Sequence, residues 1–366
     1  MPLAIVRRRF PPCAPPESSR LSPEIAHADA RAEALAGWLA TTLPVGIASI
    51  APASADASFR RYFRVTLAAP LPQCPDTTLI AMDAPPPQED CRPYVHVARL
   101  LRDAGVHVPR ILGSDLARGY LLMTDLGATT YASALTDDTA PRLYGDALDA
   151  LVRMQRALCE DELPPYDDAL LRRELMLFPE WYVAKHLGVT LTPAEQATLA
   201  AAFELLLANN LAQPRVLVHR DYHSRNLMVT TPNPGVLDFQ DAVHGPITYD
   251  LVSLLRDAYV EWDEERQLDW TIRYWERARN AHLPVRADFA AFWRDFEWMG
   301  VQRQLKVLGI FARLLHRDGK SAYVADMPRV LRYLRGACAR YPQFDPLAAL
   351  LDALDERVAR AAAAPS

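Results

Sequence analysis

Apolar positions change their period along this chain, and the change divides it. Residues 1–20 hold five prolines and little periodicity, which reads as a loosely ordered extension. A helix is expected from Ser22-Pro23, with serine as cap and proline in the first turn, running through Leu35 and Leu39. S-F-R-R-Y-F-R-V-T-L (58–67) and T-L-I-A-M-D (78–83) are rich in aromatic and β-branched residues and read as strands. Tyr94, Val97, Ala98 and Leu101 then follow a helical period that stops at Gly105. R-I-L-G-S-D and G-Y-L-L-M-T-D form a hairpin across Asp115–Arg118. After the leading helix, the order β-β-α-β-β describes a small sheet crossed by one helix.

Beyond Gly127 the period is helical over 141–158, 168–187 and 192–213, the last opened by a Thr192–Glu195 capping box with Pro193 inside it. The stretch 218–229, with a short apolar run at each end, and a second strand-like run, G-V-L-D-F (235–239), interrupt before helical pattern resumes from Tyr249 to the end. The expected architecture is α+β and two-lobed. An N-lobe over 21–124 carries the sheet, residues 123–127 join the lobes, and a mainly helical C-lobe spans 125–366.

Composition narrows the class. Half the residues are hydrophobic and the net charge is −5, so a broad nucleic-acid surface is disfavoured. Five scattered cysteines with no C-x-x-C pair suit free thiols in a reducing compartment. Arg7-Arg8-Arg9 is followed by proline and serine rather than an apolar core, and no run approaches a membrane span. A cytoplasmic protein that binds neither nucleic acid nor membrane is expected.

The chemistry concentrates in V-H-R-D-Y-H-S-R-N-L-M-V (218–229), a polar knot between two short apolar runs. His219, Asp221 and Asn226 have the spacing H-x-D-x-x-x-x-N, and Asp238 follows Asn226 by twelve residues. A base, an amide and a carboxylate in that order are what phosphoryl transfer from a magnesium nucleotide requires. Asp221 is the candidate base, while Asn226 and Asp238 offer hard oxygens to Mg²⁺, with ATP as donor. His219 fits a loop brace. Taken singly, each is more often a cap or turn residue; the conjunction carries the reading.

These motifs resemble the aminoglycoside phosphotransferase superfamily, whose catalytic loop is H-x-D-x-x-x-x-N and whose metal motif is D-x-x-D, here Asp238-Phe-Gln-Asp241. The resemblance covers about residues 35–345 and implies a protein-kinase-like bilobal fold. It also implies that Asp250, in Y-D-L-V-S-L-L, braces the catalytic loop. S-F-R-R-Y-F-R-V, A-M-D-A-P-P, the catalytic loop, V-L-D-F-Q-D-A-V-H-G-P-I-T-Y-D-L and F-E-W-M-G-V-Q-R look like one branch, the bacterial anomeric kinases of N-acetylmuramate and N-acetylglucosamine. That branch implies ATP-dependent formation of a sugar 1-phosphate in cell-wall sugar recycling, passed on to a nucleotidyltransferase.

Two departures stand out. T-L-I-A-M-D carries no phosphate-clamping lysine, with Met82 and Asp83 in the region, and no G-x-G-x-x-G loop precedes it. Ser58, Arg60, Arg61 and Arg64 are therefore the candidate phosphate contacts; alternation puts Arg60 and Arg64 on one face with Tyr62, and Arg61 on the other. A solvated basic strand is the competing reading. Thr124, Asp125 and Leu126 form the expected adenine-binding hinge. His223, Arg225, Asp241, Glu297, Trp298 and Arg303 are candidate substrate or phosphate contacts, although the C-lobe tryptophans equally suit core packing. Competing functions are a kinase of an aminoglycoside, choline-like or homoserine-like hydroxyl, and a catalytically weak nucleotide-binding pseudokinase or scaffold.

Overall fold

A computed structural model describes residues 23–363, apart from 56–58, 73–75, 87 and 158. The expected extension over 1–20 and the candidate Ser58 lie outside the described residues. The N-lobe runs α1 (Pro23–Thr42), β1 (Ile47–Ala55), β2 (Arg61–Leu67), β3 (Thr78–Asp83), α2 (Arg92–Asp103), β4 (Ile111–Asp115) and β5 (Tyr120–Thr124). Its strands form one antiparallel sheet in the order β1-β2-β3-β5-β4.

Strand alternation clothes both faces of this sheet. Val65, Leu79, Ala81, Tyr120 and Leu122 pack with Leu35, Trp38 and Leu39 of α1. Met82, Leu121 and Met123 point the other way, into the core shared with Tyr94, Val97 and Leu101 of α2. β1 was not expected. Its sequence, I-A-S-I-A-P-A-S-A, has no aromatic residue and only two β-branched ones, Ile47 and Ile50, a weak strand signal, and it adds at the sheet edge, where Pro52 is tolerated. The hairpin between β4 and β5 closes through Gly119 at φ +78°, where a Cβ would lie 1.9 Å from the Ala84 carbonyl oxygen.

The C-lobe continues with α3 (Tyr131–Ala134), α4 (Ala140–Gln155), α5 (Asp168–Leu177) and α6 (Pro193–Leu211), then short strands β6 (Arg215–Val218), β7 (Leu227–Met228), β8 (Gly235–Val236) and β9 (Val243–Pro246). It ends with α7 (Tyr249–Leu255), α8 (Glu264–Asn280), α9 (Phe289–His316), α10 (Met327–Arg340) and α11 (Asp345–Ala363). The capping box at α6 forms as expected. The helix expected over 168–187 divides instead, with a π-helical stretch over Phe178–His186 after α5. The strand expected over 235–239 ends at Val236, because Leu237 bonds back to the catalytic loop and Asp238 turns the chain at φ +60°.

α9 is the axis of this lobe, buried almost without a break from Asp295 to Gly309. At Gly309 it meets the backbone of Leu177, where a Cβ would come within 2.4 Å of the carbonyl. Polar side chains on so enclosed a helix must find partners inside the protein or in a ligand.

Candidate active site

The loop 219–226 hangs between β6 and β7, and one buried carboxylate sets its shape. Asp250, in the first turn of α7, accepts the backbone N–H of His219 at 2.6 Å and that of Arg220 at 3.0 Å. This bracket holds Arg220 at φ +77°, a left-handed conformation that costs a non-glycine residue energy. The fully buried His219 ring accepts the Asp221 N–H through Nδ1 (3.2 Å) and donates through Nε2 to the Leu237 carbonyl (3.0 Å). A ring that accepts at one nitrogen is neutral, and burial holds its pKa below the usual histidine value. Its geometry is that of a brace.

Burial alone would raise the Asp221 carboxyl, yet Lys306, His223, Arg303 and Arg220 outweigh it and hold the pKa at about 2. Asp221 is therefore ionised at neutral pH. Lys306 Nζ donates to the Tyr249 hydroxyl at 2.7 Å and lies 3.0 Å from Glu174, which also takes Arg220 Nη2 at 2.5 Å and the Tyr166 hydroxyl. Burial pushes the Asp250 carboxyl the other way, up to about 6. Two carboxylates, one in the loop and one bracing it from α7, are thus driven apart by their surroundings.

Asn226 donates through Nδ2 to the Asp221 carbonyl (3.0 Å) and lies 3.4 Å from Asp238 Oδ2, which leaves its amide oxygen as a free acceptor. Asp238 Oδ1 takes Gln240 Nε2 at 2.8 Å, and the Gln240 amide oxygen is buried without a hydrogen-bond partner. An amide oxygen, a carboxylate and an adjacent orphaned carbonyl make a hard-oxygen donor set. No cluster of three or more His, Cys, Asp or Glu forms a metal cage among the described residues, as expected for a cation that keeps waters and phosphates as ligands.

These groups open into a cleft of about 640 Å³ between the lobes. Its N-lobe and hinge side is lined by Tyr62, Arg64, Ile80, Met123 and residues 124–127; its α9 side by Arg303, Val307, Ile310 and Phe311, with Tyr259 and Tyr323. Asp221, His223, Arg225, Asn226 and Asp238 also line it. Arg225 stacks on Tyr259 at 3.5 Å, and His223 meets the same ring edge-on.

The strand cations separate as alternation requires. Arg64 reaches the cleft wall, where Nε and Nη2 contact Asp125 at 2.6 and 3.2 Å and Nη2 also contacts the Gly127 carbonyl at 3.0 Å. Arg61 lies on the opposite face and shares the buried Asp83 with Arg31 of α1, which argues against a phosphate contact. Arg60 pairs with Glu89 at 3.5 Å, outside the cleft lining. Two α9 candidates also fall away from the cleft. Glu297 is fully buried with Arg256 and Arg340, and Trp298 packs edge-on against Tyr341 and Phe344. Asp241 is exposed beside the loop and does not line the cleft. Trp262 and Trp270 pack with Tyr144 in the core.

A family model described as "Phosphotransferase enzyme family" matches residues 49–289, the whole span from β1 through both catalytic motifs. The chain belongs to this family. A Pseudomonas aeruginosa relative named N-acetylmuramate/N-acetylglucosamine kinase is 52% identical over 338 residues, 90% of this chain and 98% of the relative. A Neisseria meningitidis protein of the same name is 49% identical, covering 87% and 94%. Among solved structures, a choline kinase from Streptococcus pneumoniae aligns with TM-score 0.60 at 12% identity over 86% of this chain and all of that one. The ADP-bound aminoglycoside phosphotransferase APH(2'')-Ib aligns with TM-score 0.54 at 14% identity, covering 82% and 97%. These likenesses show the kinase-like fold. The chain is an ATP-dependent phosphotransferase.

Sequence reading missed Lys306, Glu174 and Asp257, the last of which accepts the Ser224 and Tyr259 N–H groups at 2.8 Å each. A signal existed for Lys306. The chain has only three lysines, and this one sits in the apolar run Leu305–Leu308, where an unpaired lysine would not be buried.

Proposed function

We propose that this phosphotransferase moves the γ-phosphoryl group of ATP to the anomeric hydroxyl of N-acetylmuramate and N-acetylglucosamine, giving the sugar 1-phosphate. The observation that carries the reading is the ionised Asp221 carboxylate set beside the Asn226–Asp238 oxygen pair in one cleft. The names of relatives about half identical across most of this chain supply the acceptor class.

Asp221 accepts the hydrogen bond of the anomeric hydroxyl and orients it for in-line attack. That hydroxyl is more acidic than an ordinary alcohol, so a base held at about pKa 2 suffices when proton transfer lags behind phosphoryl transfer. Asn226 and Asp238 would hold Mg²⁺, which when bound neutralises charge on the phosphates. The apolar slot of Tyr62, Ile80 and Met123 against residues 124–127 takes the adenine, and Arg64 supplies the nearest N-lobe cation to it. No helix among the described residues is long and apolar enough to cross a membrane. A sugar 1-phosphate made in the cytoplasm would suit a nucleotidyltransferase as its next enzyme.

An aminoglycoside acceptor is disfavoured by charge, since Arg303 of α9 and Arg225 of the loop both line the cleft that would take a polycation. The decisive experiment is phosphorus and proton NMR of the product with each amino sugar, beside kanamycin and choline as acceptors. Phosphate on C1 is expected. Phosphate on another hydroxyl, or faster turnover of kanamycin or choline, would refute the assignment.

A further inference from the structure

Arg303 is the unmatched charge of the cleft. It is 3% exposed, and its Nε and Nη1 are buried without a hydrogen-bond partner. The other buried cations around it each have a carboxylate partner, although Arg256 leaves Nε and Nη1, and Arg220 leaves Nε, without a hydrogen-bond partner. Lys306, one turn on, has Glu174 and Tyr249; Arg220 has Glu174; Arg256 has Glu297. Arg303 is near enough to Asp221 to help keep that carboxyl ionised, yet the two form no ion pair. A guanidinium desolvated without an anion is costly, and its fork matches a carboxylate or phosphate in two parallel hydrogen bonds. Its partner therefore arrives with a ligand.

Position decides which anion. The nucleotide phosphates belong with Asn226, Asp238 and the N-lobe, whereas Arg303 lines the cleft from α9 with Val307 and Phe311, and Tyr259 and Tyr323 pack on Phe311. This is the acceptor side of Asp221. The two proposed acceptors differ there in one chemical respect. N-acetylmuramate carries a lactyl ether ending in a carboxylate, and N-acetylglucosamine has a plain hydroxyl in its place. We propose that Arg303 is the carboxylate-recognising residue of the acceptor subsite, pairing through its fork with the lactyl carboxylate and setting the preference between the two sugars. The aromatic rings contact the features the sugars share, so both can bind, and only one brings the counter-ion. This inference rests on the amino-sugar reading above.

The test compares kcat/KM for N-acetylmuramate, for its lactyl amide and for N-acetylglucosamine in the wild-type enzyme, Arg303→Met and Arg303→Lys, with thermal melting and ADP affinity as checks on folding. The wild-type enzyme should prefer the acid to its neutral amide. Arg303→Met should reduce that acid-to-amide ratio about tenfold or more, and Arg303→Lys, which keeps charge without the fork, should fall between. A ratio unchanged in both variants, with all substrates slowed together, would overturn the proposal and move the arginine's partner to the transferred phosphoryl group or Asp221. If Arg303→Met does not fold, an unchanged ratio in Arg303→Lys refutes it alone. A wild-type enzyme that turns over neither sugar would instead refute the amino-sugar reading beneath it, a distinguishable failure.

Discussion

The catalytic loop and strand β2 are both dense in charge, but they hold it by different means. In the loop, Asp250 pins two successive amides and His219 ties Asp221 to Leu237. The anchoring side chains, Asp250 and His219, are both fully buried. On β2 and the residue before it, three arginines reach separate carboxylates: Arg60 to Glu89, Arg61 to Asp83, Arg64 to Asp125. Arg61 and Arg64 are each about one-third exposed, so solvent screens much of their pairing. The loop is built to keep atoms in place, and the strand to keep charge nearby. Changes in the loop should therefore act on kcat, and changes on the strand on nucleotide affinity or stability.

The largest expected effect is at Asp221. Asp221→Asn keeps the shape and removes the acceptor charge, so kcat should fall about 10²–10⁴-fold, measured by coupled ADP release, with ADP affinity within about threefold. Near-normal turnover would remove Asp221 from the reaction. Asp250→Ala comes next. It strands the His219 and Arg220 amides in the core, at roughly 1–3 kcal/mol for each unsatisfied donor, and melting temperature and kcat should drop together. Asp250→Asn asks a finer question about pH. Because the folded pKa is raised to about 6, the stability its neutral form contributes is complete below the ordinary carboxylate range and lost as pH rises through about 6. The ionised form is the one that accepts both amides, so an acid limb in kcat near pH 6 should belong to Asp250 and vanish in the asparagine variant. Persistence of that limb would assign it elsewhere.

The same contrast explains what could be read in advance. His219, Asp221 and Asn226 are close in sequence and Asp238 is twelve residues on, so spacing alone could single them out as candidates, and three of them line one cleft. Alternation correctly separated the faces of Arg61 and Arg64, but it could not reveal Asp83 or Asp125 as partners, because a strand's sequence says nothing about the far end of a salt bridge. β1 escaped because its alanines, serines and proline outnumber its two isoleucines, which leaves a weak strand propensity. On α9, F-E-W-M-G-V-Q-R offered Glu297, Trp298 and Arg303 as candidate contacts, with core packing as the competing reading of the tryptophan. Trp298 and Arg303 are five positions apart, about 140° around a helix, so they face different neighbours. One packs on Phe344 and the other lines the cleft.

Lys306→Met probes the charge that supports the loop from α9. Lys306 is the largest of the attractions holding Asp221 down at about 2. Its loss should move the Asp221 pKa upward, with an acid limb rising toward the working range while kcat at pH 8 falls less than in Asp221→Asn. An acid limb identical to wild type would show that Arg220 and Arg303 suffice.

The smallest effects should come from β2, and there the two arginines should part. Arg64→Ala frees Asp125 and the Gly127 carbonyl on the hinge, so the KM for ATP should rise about three- to tenfold with kcat nearly unchanged, as expected for lost ground-state binding. Arg61→Ala removes one of two cations on the buried Asp83, while Arg31 remains. Its effect should be a lower melting temperature, by about 1 kcal/mol or less of stability given its exposure, with the KM for ATP unmoved. If Arg61→Ala raised KM as much as Arg64→Ala, the separation of the strand into a nucleotide face and a structural face would fail, and with it the view that one arginine of β2 stands in for the missing lysine.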